Sequence, residues 1–192
     1  MIRIFIIIQV VCAAFIFSTC ERANMYDLAK YGLPPQSAIY IFPTVQMPGN
    51  FGGRNEADNL CYQQGIAYHT LVKASTVKAF VSFSMIDELR FLVPVPYWYF
   101  PVMGISPTLT VTPMANSWVD LIGGATAPIM SSLGLAGNFW SGSNGDGSAA
   151  LTENCSGWHD STGTFSGRFG GTLIYDGTNT CNASYYILCI AY

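Results

Sequence analysis

The stretch Trp140–Tyr192, WSGSNGDGSAALTENCSGWHDSTGTFSGRFGGTLIYDGTNTCNASYYILCIAY, decides how this chain is read. Its three cysteines, Cys155, Cys181 and Cys189, sit among short apolar runs and glycine turns. Cys61, far upstream, is the natural fourth partner. A chain whose last strand is bolted to its first helix is organised as a closed loop. Everything between those points hangs from that closure.

Composition narrows the classes. Only 10% of the 192 residues are charged, against roughly 25% in an ordinary soluble domain. With 51% hydrophobic residues, 19 Gly and 10 Pro, the chain reads as turns and loops over an aromatic core, not as long helices. Its length suits one domain with an N-terminal extension. The net charge of −3 offers no basic footprint for nucleic acid. No internal repeat or low-complexity tract is visible.

Residues 1–19 read as a targeting segment. Arg3 precedes the apolar run Ile4–Phe17, broken only by Gln9, and Ser18, Thr19 and Cys20 follow. This is an n-region and an h-region of signal-peptide size, and the run is short for a helix that must cross about 30 Å of hydrocarbon. Phe17-Ser-Thr-Cys20 resembles a relaxed bacterial lipobox, with Phe17 and Thr19 where Leu and Gly or Ala are usual. Cys20 would then be lipidated and become the mature N-terminus, anchoring the protein to a membrane. Plain secretion and an uncleaved anchor are the alternatives. Residues 20–37, ending near Pro34-Pro35, read as a tether, and 38–192 as the domain.

Cysteine usage agrees with export. Cys12 would leave with the h-region and Cys20, if lipidated, would be used up, which leaves Cys61, Cys155, Cys181 and Cys189. An even set in an exported chain favours two disulfides. No CxxC or paired Cys/His spacing suggests a metal site, and the residue pattern by itself allows three pairings.

Within the domain, Ala38–Phe42 reads as a strand, punctuated by Pro43, Pro48 and Gly49. Asn55 is a candidate cap for a helix through Gln64, with Glu56 and Asp58 in its first turn. Ala57, Leu60, Cys61 and Gln64 fall at helical spacing, so Cys61 faces the core. Lys78–Phe83 alternates as a strand, and Asp87–Leu92 reads as one short helical stretch. Val93–Ser117 holds five prolines and the cluster Tyr97-Trp98-Tyr99-Phe100. It reads as a long loop, the kind of segment that carries function on a rigid scaffold.

These motifs carry a resemblance. Ile39–Phe42, Asn50-Phe-Gly-Gly53, Glu56-Ala-Asp58 with Cys61, Lys78-Ala-Phe80, Trp140-Ser-Gly142, Asp146-Gly147, Cys155-Ser-Gly-Trp158 and Leu188-Cys189 resemble, in order, the endostatin domain of collagens. They resemble most its bacterial branch, which includes the leptospiral endostatin-like surface lipoproteins. The resemblance spans residues 38–192. It implies an α+β, C-type-lectin-like fold of loop-rich antiparallel sheets with one or two helices and nested disulfides, Cys61–Cys189 and Cys155–Cys181. It also implies adhesion to host matrix or plasma proteins such as laminin, fibronectin, plasminogen or factor H.

The residues themselves point to no reaction and to no cofactor. A calcium-dependent lectin site needs Glu-Pro-Asn or Gln-Pro-Asp with Trp-Asn-Asp, and none of these occurs. Gly142–Gly147 with Glu153 resembles an EF-hand loop without its first aspartate, and a glycine-rich turn is the simpler reading. His69 and His159 stand far apart, and Arg168 is the one arginine of the C-terminal half, so endostatin-type zinc and heparin binding are not carried over. His159-Asp160 lacks a nucleophile elbow or oxyanion motif nearby, and Asp87, Glu88, Asp120, Glu153 and Asp176 are scattered. Trp118, Trp140 and Trp158 read as core aromatics. Asn154 and Asn182 fit glycosylation sequons, which the bacterial origin implied by the resemblance would leave idle. The expectation is a non-enzymatic binding module whose candidate contact residues are Tyr97, Trp98, Tyr99 and Phe100, four aromatics that cannot all point inward from a proline-flanked loop. A structural envelope protein and a calcium-independent lectin-like protein are the alternatives.

Overall fold

The computed structural model describes residues 38–68 and 76–192. The targeting segment 1–19, Cys20, the tether 20–37 and His69 lie outside the described residues. The chain runs β1 (Ile39–Met47), α1 (Arg54–Tyr68), β2 (Val77–Ala79), β3 (Val102–Ile105), β4 (Val111–Ala115), α2 (Trp118–Ile122), α3 (Ile129–Ser132), β5 (Phe139–Trp140), β6 (Ser166–Gly170), β7 (Gly177–Thr180) and β8 (Tyr185–Ala191). The architecture is mixed α+β, with few helices and one eight-stranded sheet ordered β4-β3-β1-β8-β5-β6-β7, β2 also pairing with β8.

The centre of that sheet is β8. Ile187 to Ala191 are all fully buried, the continuous apolar run of a strand covered on both faces. β1 and β2 pair with it antiparallel, and β5 pairs parallel through Phe139 and Tyr186. Cys189 lies opposite both Phe42 and Ala79. From there its sulfur reaches Cys61 on α1, with Cα atoms 5.4 Å apart. The second bridge joins Cys155 to Cys181, with Cα atoms 5.6 Å apart. All four cysteines are fully buried, so the two bridges are part of the core. Around them pack Phe51, stacked on Trp158 at 4.7 Å, and Trp140, 5.7 Å from Trp158. The indole N–H groups are satisfied by backbone carbonyls, Trp140 on Met47 at 3.0 Å and Trp158 on Ser82 at 3.1 Å.

Four local expectations are corrected. β1 does not stop at Phe42 but runs through Pro43 to Met47, with an irregularity between Pro43 and Gln46. Its β3 partner covers only Ile39–Ile41, so from Phe42 onwards the outer side is an edge, where proline is tolerated. α1 begins at Arg54, which places Asn55 inside the first turn and not at the cap. The strand expected over Lys78–Phe83 is regular only to Ala79; Phe80 and Ser82 then donate to Leu188 and Ser141 instead. Val93–Ser117 is not all loop, because β3 and β4 form an antiparallel hairpin within it. Pro113 is accommodated since β4 is the outermost strand.

Arg54 docks α1 on the sheet. Its guanidinium donates to both carboxylate oxygens of Asp87 at 2.8 Å, to the Ala79 carbonyl at 2.7 Å and to the Val81 carbonyl at 2.6 Å. Asp58 one turn on accepts from Arg54 and from the Ala79 N–H.

Candidate functional site

Pro94 and Pro96 set the backbone of a 3-10 turn at Val95–Tyr97, where the fixed proline φ suits the first turn of a helix. The turn is closed by the Trp98 N–H on the Val95 carbonyl at 3.1 Å and the Phe100 N–H on the Tyr97 carbonyl at 2.9 Å. This geometry splits the aromatic cluster. Tyr97 turns inward, 5.6 Å from the Tyr192 ring and edge-on to Phe100 at 5.4 Å. Trp98 and Phe100 are half-buried, and Tyr99 is 79% exposed.

Trp98 is held from two sides. Its indole N–H donates to the Val93 carbonyl at 2.8 Å, and its own carbonyl accepts from the Val119 N–H at 3.3 Å. That second bond brings α2 against the aromatic turn. Ser117 caps α2 by accepting from the Asp120 N–H at 3.0 Å. Trp118 is buried, donating to the Arg90 carbonyl at 3.2 Å, while Val119 stays 45% exposed.

The third wall is the 3-10 turn Leu89–Phe91. Leu89 is buried, which leaves Phe91 60% exposed, with the Arg90 guanidinium 4.9 Å from its ring centre. Arg90 is in turn held by Glu88 at 2.6 Å and by Asp146 at 3.5 Å. Together Arg90, Phe91, Trp98, Trp118, Val119 and Ile122 line an apolar pocket of about 170 Å³. The structure thus brings Trp98 into a pocket, leaves Tyr99, the next residue in the chain, exposed, and withdraws Tyr97 into the core. Arg90, Phe91, Val119 and Ile122 were not among the sequence's site candidates. The available signal was α2 itself, since Trp118-Val-Asp-Leu-Ile122 carries more apolar side chains than one turn of helix can bury.

The remaining candidates are structural in their surroundings. In the Gly142–Gly147 loop, Arg168 donates to both Glu153 and Asn144, so a guanidinium already engages two acceptors that an EF-like loop would turn on a cation. Asp146 accepts from the Ser148 N–H at 3.0 Å and hydroxyl at 2.6 Å, and these bonds, first the hydroxyl's, hold its carboxyl below the usual range. His159 is exposed, and Asp160 accepts from the Thr162 N–H and hydroxyl, both at 2.8 Å. Asp87 and Glu88 are engaged by Arg54 and Arg90, Glu153 by Arg168, and Asp176 by the Thr172 N–H. Among the described residues, no three His, Cys, Asp or Glu side chains are grouped to hold a metal ion. Trp118, Trp140 and Trp158 are core residues.

No protein-family model matches this chain, and no curated protein matches it either.

Proposed function

We propose that this chain is an exported, surface-anchored binding module with an endostatin-like, C-type-lectin-like domain, and that it grips a host protein through the face built on Trp98, Tyr99, Phe91 and Val119. The observation that carries the reading is Tyr99. A tyrosine 79% exposed, at the end of a proline-set turn and next in the chain to the pocket-lining Trp98, is the arrangement of an interface anchor. Exposed apolar side chains grouped around a concavity favour a protein partner over a free sugar. The nested bridges, Cys155–Cys181 inside the span of Cys61–Cys189, agree with the domain that the motifs resemble and with an oxidising destination. A shortage of cations argues for contact through apolar area, not for polyanion capture.

The test is binding of the oxidised protein to immobilised laminin, fibronectin, plasminogen, factor H and a glycan panel, with and without calcium. Saturable, calcium-independent binding to one host protein is expected. Tyr99→Ser and Phe91→Ser are expected to weaken it at least tenfold, the scale of losing a hot-spot anchor, with thermal unfolding unchanged. A folded protein that binds none of the proteins would sink the reading and leave a structural envelope role. Binding confined to glycans would move it to the lectin-like class.

A further inference from the structure

We infer that Asn144 is a self-modifying site, an asparagine that the folded protein converts to aspartate and isoaspartate by attack of the Gly145 nitrogen. Asn144-Gly145 is the chain's one Asn-Gly step, and glycine offers no side chain to obstruct that attack. Gly145 is exposed, nothing lies within 4 Å of where its side chain would begin, and its N–H has no acceptor among the described residues. The flanks are pinned instead: the Asn144 N–H donates to the Ser148 carbonyl at 2.8 Å, and the Gly147 N–H to the Asn144 carbonyl at 3.0 Å. The nucleophile is therefore free while its target is held.

The target is also polarised. Arg168 donates an N–H to Asn144 Oδ1, and a guanidinium has only donors, which fixes the amide's orientation. Charge builds on that oxygen when the Gly145 nitrogen bonds to Asn144 Cγ and its proton passes to water. A fixed cation there acts as an oxyanion donor. On the other side, Asn144 Nδ2 lies 2.9 Å from Ser148 Oγ, which itself lies 2.6 Å from Asp146 Oδ1. Once Cγ is tetrahedral, the amine carries a lone pair, and the Ser148 hydroxyl, replenished by water, can protonate it. The C–N bond then breaks, ammonia leaves, and a succinimide remains. Water opens the ring at either carbonyl, giving aspartate or isoaspartate. The sum is one water consumed and one ammonia released, with no redox change.

The experiment is a time course of the oxidised full-length protein at neutral pH, with peptide mapping by mass spectrometry in ordinary and heavy-oxygen water. The denatured, reduced chain serves as reference. Conversion at Asn144 is expected to be faster in the folded protein than in the denatured chain. Arg168→Gln is expected to slow it about tenfold, short of the ~100-fold cost of an oxyanion donor in a water-excluded site. Gly145→Ala is expected to suppress it with the fold intact, since the added methyl meets open space. If Asn144 converts no faster folded than denatured, or if the folded Arg168→Gln protein converts as fast as the parent, the inference is overturned.

Discussion

Gly142 has φ +59, and a Cβ there would lie 2.7 Å from the Trp158 ring and collide with the Ser82 carbonyl oxygen. Gly142→Ala therefore combines a left-handed backbone with overpacking in the core. It is expected to lower stability by about 3 kcal/mol in urea unfolding. Tyr192 makes a different residue-scale statement. Its hydroxyl donates to the Leu92 carbonyl at 2.9 Å, and burial, then the nearby Asp58 and Tyr97, push its pKa up to about 12. A raised tyrosine pKa favours the protonated, folded form, so its contribution is complete below pH 10 and is lost as pH climbs from 10 to 12. Fast unfolding measured across that window is expected to show a loss of about 2–3 kcal/mol from this group. Tyr192→Phe should reduce the slope without removing it, because burial raises the Tyr68 pKa in the same direction.

At the scale of elements, the single turn Cys155–Trp158 stands apart. φ is +50 at Cys155, +54 at Ser156, +70 at Gly157 and +66 at Trp158. Such a left-handed turn costs roughly 1–2 kcal/mol for each non-glycine residue. It persists because its surroundings over-determine it: the bridge to Cys181, the buried Trp158 ring, and Asn154, whose carbonyl accepts from the Trp158 N–H at 2.7 Å and whose side chain accepts from the Gly157 N–H at 3.1 Å. Ser156 is exposed, so Ser156→Gly is expected to raise stability by about 1 kcal/mol in thermal unfolding. A drop would contradict the handedness of the turn. Nothing in Cys155-Ser-Gly-Trp158 announces this conformation, because one glycine among four residues does not ask for four positive φ angles. The Tyr97–Phe100 segment was more legible. Two prolines and four adjacent aromatics announce a turn that must expose something, but which ring faces out depends on Tyr192 and α2.

For the whole molecule the governing feature is closure. Cys61–Cys189 spans 128 residues and Cys155–Cys181 spans 26. Chain entropy assigns them about 4–5 and about 3–4 kcal/mol respectively. Paired alanine replacement of the outer bridge is expected to lower unfolding free energy more than that of the inner one, with the order read from denaturant midpoints. The inner bridge costing more would show that the strained turn, not loop length, dominates.

Sequence by itself determined the ingredients of this closure. Four cysteines within residues 38–192, tryptophans in a chain of low charge and a continuous apolar run at Tyr186–Ala191 are local facts, and they point to a bridged, loop-rich α+β domain. Cys61 on a helical face was likewise legible, since its spacing with Ala57 is a property of neighbours. Only the tertiary structure decided the site. The wall that Arg90 and Phe91 give the pocket depends on a carbonyl accepting from Trp118, and the hold on Trp98 depends on Val119. Pro43 and Pro113 in strands are permitted by unpaired sheet edges. Each of these is a contact between segments distant in the chain. Periodicity reports what a residue's near neighbours do, and it is silent about which distant surface will arrive to cover it.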